Sequence, residues 1–455
     1  MHCGRSAPLF FLIIALMSGC ASYAPSPLSS ARLDASLAPP DPTTLAREAQ
    51  HLHHPCIAPI ALDFSRPLTT DELAVIAVLV NPDLKALRAR EGVADAQVFD
   101  AGLLPDPQLT IGLDRPTSNQ PDLVNAYNLG LSWDILGFIT RRAGTRVAVA
   151  KRAQVRYDLA WNEWMIANHA RLLGERVIYL QAQERLAGDA AATADRLLEI
   201  SRRNLQRHDI KIDEFALRQV AYLDAQDRTL ALARDLQKAR QDLNQDLGLP
   251  PTEQLAVAGQ PVGAEPALNA QTLFAVARDK RLDLIALRAG YGAQENQLYR
   301  DLLGRFPQIN LGSNRARDTG NVTTLGFSIG VTLPIFNGNQ GTIAIARATR
   351  EQLYAEYVAR LYKARADIAT LVADLERIRQ EIAPLVRQLP ELQHAEERMR
   401  GGVASGDVTL ISYETVRASL LDKRLKLSSL EQASAEQRVA LQLATGEPWH
   451  AEARP

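Results

Sequence analysis

The strongest constraint on this chain is that it contains itself twice. Residues 83–92, DLKALRAREG, return as residues 283–292, DLIALRAGYG, with seven of ten positions identical at an offset of 200. The same offset aligns Pro107-Gln108-Leu109-Thr110-Ile111-Gly112 with Pro307-Gln308-Ile309-Asn310-Leu311-Gly312, and Gly130-Leu131-Ser132-Trp133 with Gly330-Val331-Thr332-Leu333. Toward the end the offset shrinks to 198, where Leu247-Gly248-Leu249-Pro250 meets Thr445-Gly446-Glu447-Pro448. A unit of roughly 180 residues is far beyond solenoid periods. The expectation is a duplicated domain, 71–250 and 271–448, with a Pro- and Gly-marked linker over 251–270 and a short tail over 449–455. That replaces the roughly three globular domains suggested by length alone.

Each copy reads as helix, strand pair, very long helix, then helix. The strand signal is strict alternation. Leu109, Ile111 and Leu113 alternate with Thr110, Gly112 and Asp114, while Tyr127, Leu129, Leu131 and Trp133 alternate with Asn128, Gly130, Ser132 and Asp134. In the second copy Leu325, Phe327, Ile329, Val331 and Leu333 alternate with Thr324, Gly326, Ser328, Gly330 and Thr332. Strands of this kind approach the about 9–11 residues that cross a bilayer in a tilted barrel, and they equally suit a half-buried soluble sheet. Four strands are too few for a membrane barrel, so in lipid several protomers must pool them and leave no open edge.

The long helices carry heptads. Leu159, Ile166, Leu173, Leu180, Ala187 and Ala194 recur every seven residues, with Ala170, Val177, Ala191 and Leu198 in the complementary position. In copy two Leu361, Ile368, Leu375, Ile382 and Leu389 accompany Ala364, Leu371, Ile378, Leu385 and Leu392. Such spacing predicts coiled-coil packing, in rods over about 138–203 and 339–400, each roughly 95 Å long at about 1.5 Å per residue. Pro384 and Pro390 fall off the apolar seam, so the helix is expected to continue through a kinked segment there.

The first residues address the chain. Arg5 precedes an apolar run of nine, Leu9 to Met17, and then Ser18-Gly19-Cys20. The run is too short to span a bilayer and fits a signal h-region over 1–19. The small residues before Cys20 resemble a bacterial lipobox, which makes Cys20 the acylated N-terminus. Lipid alone anchors weakly, so firm residence needs a second membrane contact. No later stretch reaches 18 uncharged apolar residues to supply it as a helix. Residues 20–70 read as an extended arm without its own core. The arm holds His51, His53, His54 and Cys56, donors that suit a soft or borderline metal. Pro55 interrupts them and no second ligand group follows, so the competing expectation is an exposed polar loop.

Charge and chemistry exclude other classes. With 51 Lys+Arg against 52 Asp+Glu, there is no wholesale basic surface for nucleic acid. Three cysteines exclude a disulfide scaffold. No GxxxxGK[ST] or HExxH motif occurs, and Gly290-Tyr291-Gly292 lacks both the third glycine and a preceding strand. No catalysis and no cofactor are expected.

A lipobox, duplicated helix–β-hairpin–helix units and long coiled coils together resemble the TolC-type outer-membrane efflux channels, over essentially Cys20 to Trp449. The resemblance implies a mainly α fold with membrane β: a trimer in which each protomer gives four strands to a 12-stranded barrel and its helices form a periplasmic tunnel. It implies a homotrimer in outer-membrane lipid, docked to a periplasmic adaptor and an inner-membrane pump of RND or another type. It also implies that the half-length helices, about 210–247 and 271–303, stack to make the ascending path. The tunnel tip would lie at Gly401–Leu410 and Arg207–Glu214, with His208 where the family's turn glycine is usual. Asp209, Glu214, Arg218, Gly402, Gly406, Asp407, Glu414 and Arg417 become candidates for docking or gating. Family acidic tip positions map onto Glu214 in copy one but onto Ser412 and Thr415 in copy two. Thr110, Asn128, Ser132, Thr324 and Ser328 would face the lumen, and Tyr127, Leu129, Trp133, Phe327 and Ile329 the lipid. A soluble periplasmic coiled-coil lipoprotein without a pore also explains the heptads, but not the strand pairs in both copies.

Overall fold

The computed structural model describes residues 23–118, 122–259 and 268–448. The expected signal, the lipidated Cys20, part of the linker and the 449–455 tail lie outside these residues. The chain divides at Pro40 into two units. In the first, helix α1 (Ser30–Leu37) has no buried residue.

The second unit begins with α2 (Pro42–Gln50). Its N-cap Asp41 accepts the Thr44 amide and its first position is proline, whose missing N–H costs nothing there. Leu45 and Ala49 are buried, so the arm is less extended than expected and packs into the main core. Helix α3 (Thr70–Val80) starts with a reciprocal capping box between Thr69 and Glu72. Its sequence, TDELAVIAVLV, is apolar all round, as a helix covered on every side must be. Leu73, Ile76 and Ala77 enter one core cluster, and Ala74, Val75 and Val78 another.

Helix α4 (Pro82–Gly102) leads into β1 (Gln108–Asp114), β2 (Ala126–Asp134) and the 72-residue α5 (Ile135–Gln206). At about 1.5 Å per residue α5 is about 108 Å long. Helix α6 (Ile212–Asp246) returns along it. The second copy repeats the order: α7 (Ala270–Lys280), α8 (Leu282–Leu303), β3 (Gln308–Arg317), β4 (Thr323–Thr332), the 66-residue α9 (Gln340–Ser405) and α10 (Leu410–Thr445). Every heptad residue named above is buried or half-buried. Helix α9 runs through both Pro384 and Pro390.

Two expectations about the short helices need correction. Residues 271–303 are not one helix: Arg281 is extended (φ −61°, ψ 121°) and separates α7 from α8. Asn81, at the equivalent place, separates α3 from α4, and Pro82 helps to enforce that break. Nor do 210–247 and 271–303 stack on each other. The end of α6 meets the α3/α4 break, where Asn81 Nδ2 donates to Asp246 O at 3.0 Å. The end of α10 meets the α7/α8 break, where Arg281 Nη1 donates to Ala444 O at 3.1 Å. Each stack therefore forms within one repeat, and each closes helix carbonyls that have no partner inside their own helix.

The core is concentrated at this level. Leu73, Leu173, Leu243 and Leu247 form one cluster beside α3, and Ile368, Leu375 and Leu441 another beside α7. Helix α3 crosses α5 so closely that a Cβ on Gly174 would lie 2.9 Å from Leu73 Cδ1. Burying each leucine contributes about 1.5–3 kcal/mol.

The four strands form one antiparallel sheet in the order β1-β2-β3-β4. The β2–β3 pairing joins the two repeats, with Leu129 opposite Arg315 and Trp133 opposite Leu311. Strands β1 and β4 are left as open edges.

At the opposite ends of the long helices both return turns use the same backbone. The amide of Asp209 bonds to Asn204 O at 2.9 Å, and the amide of Asp407 to Gly402 O at 2.8 Å. Each turn needs one left-handed residue, which is His208 (φ 63°) in copy one and Gly406 (φ 84°) in copy two. A side chain in that region costs about 1–2 kcal/mol, partly offset by the entropy glycine loses on folding. His208→Gly is accordingly expected to stabilise the chain by roughly 0.5–1 kcal/mol and Gly406→Ala to destabilise it by a similar amount. Helical melting followed by circular dichroism checks both signs.

Candidate functional site

The sheet sorts its residues by face. Residues opposite one another in a ladder share a face, and the register sets Ile111 against Leu129, Leu113 against Tyr127, Leu311 against Ile329 and Ile309 against Val331. All are apolar, and Phe327 on the same face is 87% exposed. The other face sets Thr110 against Gly130, Gly112 against Asn128, Gly312 against Ser328 and Ala316 against Thr324. The structure therefore brings Thr110, Asn128, Ser132, Thr324 and Ser328 onto one side, and Tyr127, Leu129, Trp133, Phe327 and Ile329 onto the other. Strand β3 adds what alternation in the other strands did not signal. Ser313, Arg315 and Arg317 occupy the far end of the apolar face, where Arg317 lies 5.3 Å from the Tyr127 ring centroid and donates to Asn125 O at 2.9 Å.

At the helical tip three of the candidate residues meet. Arg218 on α6 is buried and its Nε lies 3.5 Å from Glu414 Oε1 on α10, so the ion pair crosses between repeats. Arg417 joins them around a cleft walled by Ala190, Ala194, Ala221, Ala225 and Ala418. Burial pushes the Glu414 carboxyl above its ordinary value, against the pull of Arg218 and Arg417. Glu214 contributes its backbone carbonyl to Arg218 Nη1 at 3.2 Å. Asp209, Gly402, Gly406 and Asp407 build the turns, and Asp407 Oδ2 accepts from Ser405 Oγ at 2.6 Å. Ser412 and Thr415 are engaged locally, the first with Thr409 Oγ1 at 2.8 Å and the second with Ile411 O at 2.9 Å.

The histidine segment is part surface and part built into the fold: His51 and His53 are exposed, His54 is half-buried and Cys56 is buried. His54 Nε2 donates to Ala160 O at 2.9 Å, and its Nδ1 accepts the Cys56 amide at 3.0 Å. A carbonyl can only accept and an amide only donate, so the tautomer is fixed and neither nitrogen is free for a cation. His53 Nδ1 is bonded to His51 O at 2.6 Å. The Cys56 Sγ donates to Gly446 O at 3.3 Å, and burial pushes its thiol up to about 11. Among the described residues no group of three His, Cys, Asp or Glu is placed to hold a metal. The segment is a strap on the helix junction. Arg281 there donates to Asp283 at 2.8 Å and lies 4.9 Å from the Trp161 ring; sequence reading missed it.

Residues 268–447 match the family model described as outer membrane efflux protein. The chain has the fold of the outer-membrane efflux channels. It resembles the CmeC outer membrane channel of Campylobacter jejuni, with TM-score 0.71 and 15% identity over 83% of this chain and 85% of that one. The outer membrane protein VceC of Vibrio cholerae gives 0.68 and 17% over 83% and 96%. The MtrE outer membrane channel of Neisseria gonorrhoeae gives 0.67 and 18% over 83% and 89%. No curated protein matches the sequence. Within this efflux-channel fold the sheet and the tip lie at opposite ends of α5 and α9. Among the described residues no helix is long and apolar enough to cross a membrane.

Two measurements probe these sites. Removing either member of a buried pair leaves the other unpaired, so Arg218→Met and Glu414→Gln should each cost more than their combination. A double-mutant cycle is expected to give a coupling of about 1–3 kcal/mol. For His54, burial lowers the pKa from 6.5 and outweighs the Ala160 bond and Glu163. The unfolded strap takes up a proton below about pH 6.5 while the folded strap resists it. Stability is therefore full above that pH and is lost as pH falls through the depressed value. Protection of the amides in residues 51–60, measured as hydrogen exchange relative to the intrinsic rate at each pH, should fall from pH 7 to 5, and His54→Gln should flatten that response.

Proposed function

We propose that this chain is the exit duct of a tripartite efflux system: a homotrimer in the bacterial outer membrane, anchored by lipid on Cys20. Cargo passes passively from the tip to the exterior, and an inner-membrane pump of RND or another export type does the work. The observation that carries this reading is the sheet, whose exposed apolar face, glycine- and hydroxyl-rich opposite face and two open edges suit a wall element of a membrane barrel. One protomer's four strands fall short of the roughly eight of the smallest membrane barrels. Three protomers pool twelve and close every edge. The efflux-family match and the fold of the solved channels support the same reading.

In this arrangement Thr110, Asn128, Ser132, Thr324 and Ser328 line the lumen, and Tyr127, Leu129, Trp133, Phe327 and Ile329 meet lipid. The turns carrying Asp209, Glu214, Gly402, Gly406 and Asp407 dock the periplasmic adaptor. Arg218, Glu414 and Arg417 restrict the tip. The domains follow as signal 1–19, lipid-anchored arm 20–70, repeats 71–250 and 271–448, the 251–270 linker and the 449–455 tail. Such a duct is not an enzyme and takes no cofactor. A coiled-coil lipoprotein without a pore would leave the apolar sheet face without a cover.

Arginine scanning of the sheet tests the proposal. Arginine facing lipid costs about 2–4 kcal/mol at mid-bilayer. Leu129→Arg and Ile329→Arg should abolish assembly of heat-resistant oligomers in outer-membrane extracts, while Ser132→Arg assembles and alters single-channel conductance. Equal assembly of all three would overturn the membrane-barrel reading.

A further inference from the structure

Between the sheet and the upper helices lies an apolar notch of about 360 Å³, lined by Ile135, Leu136, Ile139, Leu303, Phe306 and Ile309, with Pro307 at its edge. Ile309 also stands on the apolar sheet face, opposite Val331, so the notch continues that face toward the helices. Phe306 is 61% exposed and Ile139 57%. Trp133, at the same end of the sheet, donates from Nε1 to Pro105 O and packs edge-on against Phe138, the placement of an aromatic at a membrane–water boundary.

The first turns of α5, which wall the notch, carry charge of one sign, although Asp134 and Asp301 flank the notch and Arg152 pairs with Asp95. Residues 135–152 of α5 contain Arg141, Arg142, Arg146, Lys151 and Arg152 and no Asp or Glu. Arg142 is three residues beyond Ile139 and Arg146 four further on, so both share the notch's side of the helix. Both are exposed, and neither has a carboxylate partner among the described residues. The Arg146 guanidinium is held 5.2 Å from the Tyr299 ring centroid. The notch lies below β2 and β3, the inner strands of the sheet, away from the β1 and β4 edges at which a second copy would pair.

We propose that this notch seats one acyl chain of an anionic phospholipid from the periplasmic leaflet, with the phosphate on Arg142 and Arg146. The proposal rests on the reading of the sheet as membrane-embedded. An apolar slot continuous with the lipid-facing surface takes the hydrocarbon. Unpaired guanidiniums one and two turns deeper take the phosphate, as basic pockets at membrane boundaries do. Zwitterionic lipid fills the slot equally well but gains less from the arginines, and a second protein chain would bring its own partners for them.

The test uses the purified full-length assembly, given equal amounts of phosphatidylglycerol and phosphatidylcholine with identical acyl chains and read by native mass spectrometry. With each basic residue favouring anionic lipid by about fivefold, the native protein should retain phosphatidylglycerol about twenty-five-fold over phosphatidylcholine. Arg142→Gln with Arg146→Gln should abolish the preference while lipid is still retained. Ile139→Asn should reduce retention of both lipids. Equal retention by the native protein, an unchanged preference in the double variant, displacement by lipopolysaccharide, or copy-to-copy crosslinking of Ile139→Cys would each overturn it. Single-channel conductance in planar bilayers separates the two levels: a conducting protein without lipid preference refutes only this inference, whereas one that neither inserts nor conducts refutes the membrane reading beneath it.

Discussion

A four-stranded antiparallel sheet with two open edges and one bare apolar face cannot be the resting state of its surroundings. Every unpaired edge amide and carbonyl must find a partner, and in hydrocarbon none comes from solvent. The face itself must be covered or lie in lipid. The rest of the molecule is arranged around that unfinished element. The β2–β3 pairing fuses the two repeats at one end, and the long helices α5 and α9 leave it in parallel roles. The short helices fill in between them in two stacks. Duplication gives both repeats the same solution, so a single chain already has an internal approximate symmetry before any second copy is added.

The helix junction is where the strongest interactions collect. Two of the three core clusters described meet at α3, a third surrounds α7, and the stacked ends are tied by side chains to carbonyls that would otherwise lack partners. Elsewhere along the rods the apolar seam is thin and alanine-rich, as in the cleft beside Arg218. Packing is therefore dense at one level and sparse toward the tip. There α6 and α10 are joined by ion pairs, Arg218 with Glu414 and, further from the tip, Arg228 with Asp422.

Much of the architecture was legible because it depends on periods and short-range rules. Alternation placed the strands, heptads placed the long helices, and the family resemblance placed the turns, with His208 where a turn glycine is usual. The failures were non-local. Arg281 breaks its helix without a proline; its extended backbone is held by Asp283, Trp161 and the Ala444 carbonyl, the last from 163 residues away. Which short helix stacks on which is likewise decided by contacts between distant segments. His54 looked like a ligand or a solvated ring because composition is all that a short polar stretch offers. Its burial follows from Ala160 and Cys56 satisfying both nitrogens. The faces of β3 were hidden because Ser313, Arg315 and Arg317 interrupt the alternation.

The two return turns share a backbone but not a surface. One presents Arg207, His208, Asp209 and Lys211, the other Gly401, Gly402, Gly406 and Asp407. In the proposed trimer the six turns would look nearly sixfold to a partner that grips backbone shape alone. To a partner that reads charge they form two alternating sets of three. Gene duplication set the number of contact points, and divergence of a few turn residues reduced the symmetry with which they can be addressed. A docking protein can thus be directed to every second turn without any change in the wall that carries them.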